Sequence, residues 1–250
     1  MADADNFEQI YPRPLSGAPV TVPPPALVPA RAALKGRYVT LEPQDPEKHA
    51  EELYISSHST PDGYAIWDYL AYGPWPDVES YKVTLRSQSA SFDPIFYSIR
   101  SHETGRVCGQ ASFLDIHAIN GVTEIGHIWF APELQRTSGA TEALFLMLCY
   151  AMDDLGYRRM QWRCNALNAK SRAAARRLGF RFEGIFYNNL IFKGMNRDTA
   201  WYSILDDEWS EVREKISLWL APENFEENGE VKSSLSGMMR ERRPSLRGGQ

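Results

Sequence analysis

A mixed β-sheet with helices on both faces, an α/β (α+β) arrangement of about seven strands, is the fold class that the sequence predicts. Three β-like runs come first, joined by the turn formers Glu103-Thr104-Gly105 and Ile119-Asn120-Gly121. A strand–helix–strand–helix–strand order follows, which places a parallel crossover beside the meander. The two halves meet at residues 124–141, EIGHIWFAPELQRTSGAT, where an apolar, aromatic run passes through Ala131-Pro132 into a helix start at Gly139-Ala140-Thr141.

Taken in order, Lys35–Leu41 reads as a short strand, and Pro46–Ser57 as a helix with Asp45 at its N-cap and proline in its first turn. Residues 60–75, broken by Pro61-Asp62-Gly63 and Tyr72-Gly73-Pro74-Trp75, read as a loop or short helical turn, and Asp77–Ser87 as a second helix. The meander is Ile95–Ser101, Val107–His117 and Val122–Phe130. A helix over Ser138–Leu155 carries Ala140, Leu144, Met147, Leu148, Ala151 and Leu155 on one face, and Gly156 ends it. Met160–Cys164 is the next strand. Asn168 then caps a helix over Ala169–Leu178, stopped by Gly179. Strands near Phe180–Phe186 and Thr199–Leu205 and a helix from Asp206 to Leu218 close the domain.

With 250 residues, 43% of them hydrophobic and 24% charged, the chain is long enough for one sizeable core plus arms. Residues 1–30 hold seven of the sixteen prolines and read as an extended arm. Residues 31–220 form the domain. Residues 221–250, acidic and then basic with few large apolar side chains, read as a disordered charged tail. A net charge of -5 argues against nucleic acid as the main partner. Cys108, Cys149 and Cys164 are widely spaced and read as reduced core residues of a cytoplasmic protein. There is no apolar run long enough to suggest a membrane span, and a monomer or homodimer is expected. The absence of HExxH, an EF-hand loop and any Cys/His cluster predicts no metal.

A helix that starts straight after a strand offers free backbone N–H groups and the positive end of its dipole, which attract phosphate. Neither GxGxxG nor GxxxxGK[ST] occurs, which leaves coenzyme A as a leading candidate. At these residues the sequence resembles the GNAT superfamily of N-acetyltransferases, in its branch of ribosomal-protein alanine acetyltransferases, over roughly Leu34 to Trp209. The resemblance rests on a pyrophosphate loop of the form [QR]-x-x-G-x-[GA], here Gln135-Arg136-Thr137-Ser138-Gly139-Ala140, followed by Thr141-Glu142-Ala143. Ser138 stands where the glycine is usual, and the glycine comes one place later. Asn168 and Ser171, Leu178-Gly179-Phe180, Glu183-Gly184, Lys193-Gly194 and Arg197-Asp198 then fall in family order. The resemblance implies the GNAT fold, with the fourth strand splayed from the fifth to admit acetyl-CoA. It further implies that Gln135 to Thr141, the backbone of Ile128, Trp129 and Phe130, and Asn168 and Ser171 hold that coenzyme. Arg136 and Arg172 could meet its phosphates.

Acyl transfer from a thioester to an amine needs a base for the ammonium, a polarised carbonyl and a route for the thiolate. The resemblance points to Glu124 as the base, since in several acetyltransferases a glutamate on this strand takes the amine proton directly or through water. His127 competes because imidazole titrates near neutrality, although strand alternation puts it on the opposite face unless a bulge intervenes. Ser171 is placed near the departing sulfur. Where some relatives carry a further carboxylate, this chain has Leu190, and Tyr187 replaces a usual basic residue. For the acceptor, Trp67, Tyr69, Tyr72 and Trp75 sit in the segment that lines the family's groove, and Trp129 and Trp162 lie on the two splayed strands. The expected activity is acetyl transfer from acetyl-CoA to a primary amine of a small molecule. A protein N-terminus as acceptor, or a silent acetyl-CoA-binding module, are the alternatives.

Overall fold

Apolar alternation and well-placed caps produce an open eight-stranded sheet in the computed structural model, which describes Val20, residues 25–226 and residues 230–242. The strands are β1 (Leu34–Lys35), β2 (Val39–Pro43), β3 (Ile95–Ser101), β4 (Val107–His117), β5 (Val122–Phe130), β6 (Arg159–Asn165), β7 (Arg181–Phe192) and β8 (Met195–Leu205). Their order is β1-β2-β3-β4-β5-β6-β8-β7. Every pairing is antiparallel except β5 with β6. The eighth strand arises because the run expected over Lys35–Leu41 turns at Gly36 and pairs with itself.

Helices α1 (Pro46–His58) and α2 (Val78–Ala90) pack on each other and on the first half of the sheet. Asp45 caps α1 by accepting the Glu47 and Lys48 N–H groups at 3.0 and 3.3 Å, and Asp77 caps α2 at Ser80 N–H, 2.8 Å. The other layer holds α3 (Ser138–Cys149, continued by a π turn over Tyr150–Asp154), α4 (Ala169–Arg177), α5 (Asp206–Leu220) and α6 (Leu235–Arg240). Its contacts run α3 to α5, α5 to α6 and α6 to α4. Gln110 on β4 bonds Tyr72 and Gln44 near α1, whereas Phe113, three residues on, meets Tyr150 at the end of α3. An odd spacing along a strand reverses the face, so the two layers lie on opposite sides of the sheet.

The expected disordered tail is corrected in its described part, while the described end of the N-terminal arm lies against the domain. Most of residues 1–30 lies outside the described residues, but Ala26 and Leu27 donate backbone hydrogen bonds to Ala118 and Leu155 at 3.0 and 2.9 Å, and Ala26 is buried. Within residues 221–250, Phe225 bridges to Val231 and stacks on Trp219, and α6 buries Leu235 (1% exposed) and Met239 (8%). A few apolar residues at helical spacing suffice here because Gly179 admits the Met239 sulfur; a Cβ at 179 would lie 3.1 Å from it. Each fully buried Leu or Met side chain contributes about 1.5–3 kcal/mol. Ending the chain after Asn224 is therefore expected to lower the melting temperature while leaving one cooperative transition; an unchanged melting curve would show that α6 adds nothing.

Candidate active site

Parallel pairing of β5 with β6 is confined to Val122–Arg159, Thr123–Met160 and Glu124–Gln161. From Ile125 to Phe130 the two strands diverge, and the β6-side edge of β5 has no strand partner. The predicted splay is therefore present, with Glu124 at its apex and Ile128, Trp129 and Phe130 along its open edge.

Directly after β5, Ala131 N–H bonds Cys108 O at 2.8 Å and Gln135 N–H bonds Ala131 O at 3.1 Å, coiling the loop. Gln135 Nε2 holds Phe130 O at 2.9 Å, and Arg136 takes a left-handed φ of 64°. Thr137 caps α3, its hydroxyl accepting Ala140 N–H at 3.2 Å. The backbone N–H groups of Arg136, Ser138 and Gly139 find no acceptor among the described residues, so they form a concave set of donors at the helix start. The displaced glycine has a packing reason: a Cβ at Gly139 would lie 3.0 Å from Val39 and 3.2 Å from Leu134. Glu142, which sequence reasoning passed over, pins this end of α3 by accepting the N–H groups of Arg37, Tyr38 and Val39 at 2.8, 2.6 and 3.0 Å.

On the α1 face, Glu124 is 3% exposed, and burial lifts its carboxyl to about 7 against the pull of Arg163, whose Nε donates to it. Arg163 also donates to Asp115 and lies 4.9 Å over the Trp201 ring. Gly126 leaves space beside this carboxylate; a Cβ there would come within 3.2 Å of Glu124 Oε1.

Alternation would have turned His127 away, but β5 bulges at this residue. The register slips between Gln110 and Ser112, and His127 has φ 51°. Its ring therefore joins the face of Glu124, stacked on Tyr72 at 5.5 Å and against Phe96 at 5.1 Å. Gln110 Nε2 donates to the Tyr72 hydroxyl at 3.1 Å, and that hydroxyl shares a hydrogen bond with His127 Nδ1 at 3.0 Å. Burial, reinforced by Arg163 and Arg197, depresses the His127 pKa to about 4. The ring is therefore neutral at pH 7 and a weaker base than Glu124.

Asn168 caps α4 at Ser171 N–H, 3.0 Å, and the Ser171 hydroxyl accepts Trp162 Nε1–H at 3.0 Å, leaving its own hydrogen to donate. Arg172 is bound to Tyr202 and Ala166, whereas Arg136 stays exposed. Two proposed wall residues lie elsewhere. Trp162 is buried against Phe180 on the α4 side. Trp67 is 1% exposed, enclosed by Trp75, Tyr81, Trp129 and His58, because the 3-10 turn Ala65–Tyr69 folds its ring inward. Trp129 belongs to this cluster too. Tyr69 and Tyr187 remain open, at 40% and 71% exposure. Lys193, at the tip of the β7–β8 hairpin, donates to Trp67 O and Gly73 O at 2.8 and 3.0 Å, tying that tip across to the loop.

A family model described as "Acetyltransferase (GNAT) domain" matches residues 39–181. A Bacillus subtilis protein named "Putative ribosomal N-acetyltransferase YdaF" is 31% identical over 173 residues, covering 68% of this chain and 90% of its own. Among solved structures, a GCN5-related N-acetyltransferase from Brucella melitensis aligns with a TM-score of 0.84 at 41% identity, covering 87% of this chain and 98% of its own. A Chromobacterium violaceum ATCC 12472 protein described as a "probable" acetyltransferase of the GNAT family aligns with a TM-score of 0.73 at 36% identity, covering 80% of this chain and 98% of its own.

Proposed function

Because the chain belongs to the GNAT acetyltransferase family, we propose that it transfers an acetyl group from acetyl-CoA to a primary amine of a small molecule by direct attack within a ternary complex. The family uses acetyl-CoA, which supplies an acetyl thioester already activated toward amines. The unpaired N–H groups of Arg136, Ser138 and Gly139 suit its pyrophosphate, and the free edge at Ile128 to Phe130 suits its amide-bearing arm. In this reading Glu124 accepts the ammonium proton. A carboxyl that titrates at about 7 is half ionised at neutral pH and is a stronger base than an ordinary glutamate. His127, held neutral, keeps one ring N–H as a donor, and Ser171 retains a hydrogen for the departing sulfur.

The observation that carries the small-acceptor reading is the tie from Lys193 to Trp67 O and Gly73 O. It joins the β7–β8 hairpin to the loop before α2, an arrangement that favours a short acceptor over a long peptide. Aromatic stacking on Trp67 no longer supports the reading, since that ring is enclosed. Release of free thiol from acetyl-CoA, followed across small amines and N-terminal peptides, is the test. Turnover is expected to be highest on a small amine. Faster turnover on peptides would move the acceptor to a protein N-terminus, and no thiol release with any amine would leave a silent binding module.

A further inference from the structure

Arg197 lies on β8 in register with Leu190 of β7, and alternation places it on the same face as Thr199 and Trp201, of which Trp201 is the register partner of Arg163. All three residues carry a buried polar atom with no partner: Arg197 Nε, Thr199 Oγ1 and Trp201 Nε1. Thr199 is 1% exposed. Arg197 makes neither a hydrogen bond nor an ion pair with any described residue, and its guanidinium only lies over Phe192 at 5.3 Å. The carboxylates nearby are already engaged, since Arg163 donates to both Glu124 and Asp115. This corner of the site therefore has one arginine more than its bound acids require.

An unmatched buried donor costs stability unless something pairs with it, and a guanidinium in particular suits a forked oxyanion. The coenzyme's pyrophosphate does not suit this place. Its donors lie at the start of α3, on the other side of the sheet from Glu124. Proximity to the reacting centre is supported by electrostatics: Arg197 is among the charges that depress His127, and Glu124 is among those felt by Arg197.

Building on the small-amine reading, we propose that the acceptor carries an oxyanion beside its amine, a carboxylate or a phosphate, and that Arg197, aided by Thr199 and Trp201, binds it. The probes are matched pairs that differ only in the anion, tyramine with tyrosine and ethanolamine with phosphoethanolamine, and one peptide pair with Glu or Gln as second residue. Within the pair that is turned over, kcat/KM should favour the anionic member by about tenfold to a hundredfold, the range that charged hydrogen bonds support. Arg197→Gln should collapse that ratio toward one, chiefly through KM, and Arg197→Lys should restore part of it. The tyrosine and phosphoethanolamine arms tell carboxylate from phosphate. Turnover confined to the peptides, with the Glu peptide preferred through Arg197, would overturn the small-amine reading and keep the oxyanion. A wild-type enzyme indifferent to the anion in every pair would overturn the oxyanion whatever the acceptor. Equal loss of acetyl-CoA affinity in Arg197→Gln would reassign the arginine to the coenzyme.

Discussion

Glu124→Gln is expected to lower kcat about 100-fold at pH 7, because a general base of matched pKa typically contributes about 10²–10⁴-fold. The deficit should shrink as pH rises toward the amine's own pKa near ~10, where free base forms unaided. In the parent enzyme kcat/KM should climb as the carboxyl ionises at about 7, and the variant should lack that limb. Stability supplies an independent sign. The folded value of about 7 lies above the reference of 4.5, so protonation of Glu124 favours the fold at low pH. That contribution is lost as pH rises from about 4.5 through about 7, and the glutamine variant should not show this decline. If Glu124 served only as a partner of Arg163, the variant would melt earlier and its kcat deficit would be independent of pH. Parent-like activity in Glu124→Gln beside an inactive His127→Ala would transfer the role to His127, against the depressed pKa described above.

The loop from Ala131 to Thr141 was legible in the sequence because its chemistry is local: a proline after a strand, a threonine cap and a glycine within one helical turn. The meander was legible for the same reason, through its two turns. The β7–β8 hairpin was read too short, since Asn188, Asn189 and Arg197 break the apolar alternation and its tip is formed by Lys193 and Gly194, both with positive φ (47° and 77°). A helix as short as α6, with Leu235, Met238 and Met239 in a polar context, offers too little periodicity to register. The pairing of Arg163 with Glu124 and Asp115, and the lack of a hydrogen-bond or ion-pair partner for Arg197 among the described residues, follow from cross-strand register, which no local pattern encodes. The bulge that turns His127 toward Glu124 is of the same kind, a departure from alternation set by pairing with β4.

Trp67 was chosen from the sequence as an acceptor wall because it stands in a proline- and glycine-broken loop, yet its ring packs at 4.9–6.2 Å from Trp75, Trp129, Tyr81 and Tyr72 and its Nε1–H reaches Ser57 O at 3.4 Å. Trp67→Ala should accordingly cost about 3–5 kcal/mol, the usual range for emptying a buried tryptophan site, and lower the melting temperature by roughly 10 °C. The loss should reach the chemistry as well. Tyr72, which holds His127 Nδ1, and Trp129, on the open edge of β5, both rest on this ring, so acetyl-CoA affinity and acceptor KM should worsen together. A stacking wall would behave differently: acceptor KM alone would rise, at unchanged melting temperature and unchanged affinity for acetyl-CoA. Calorimetric melting alongside acetyl-CoA titration separates the two outcomes. Only the second would return Trp67 to the acceptor groove, because an enclosed ring cannot be removed without leaving a cavity that the fold must bear.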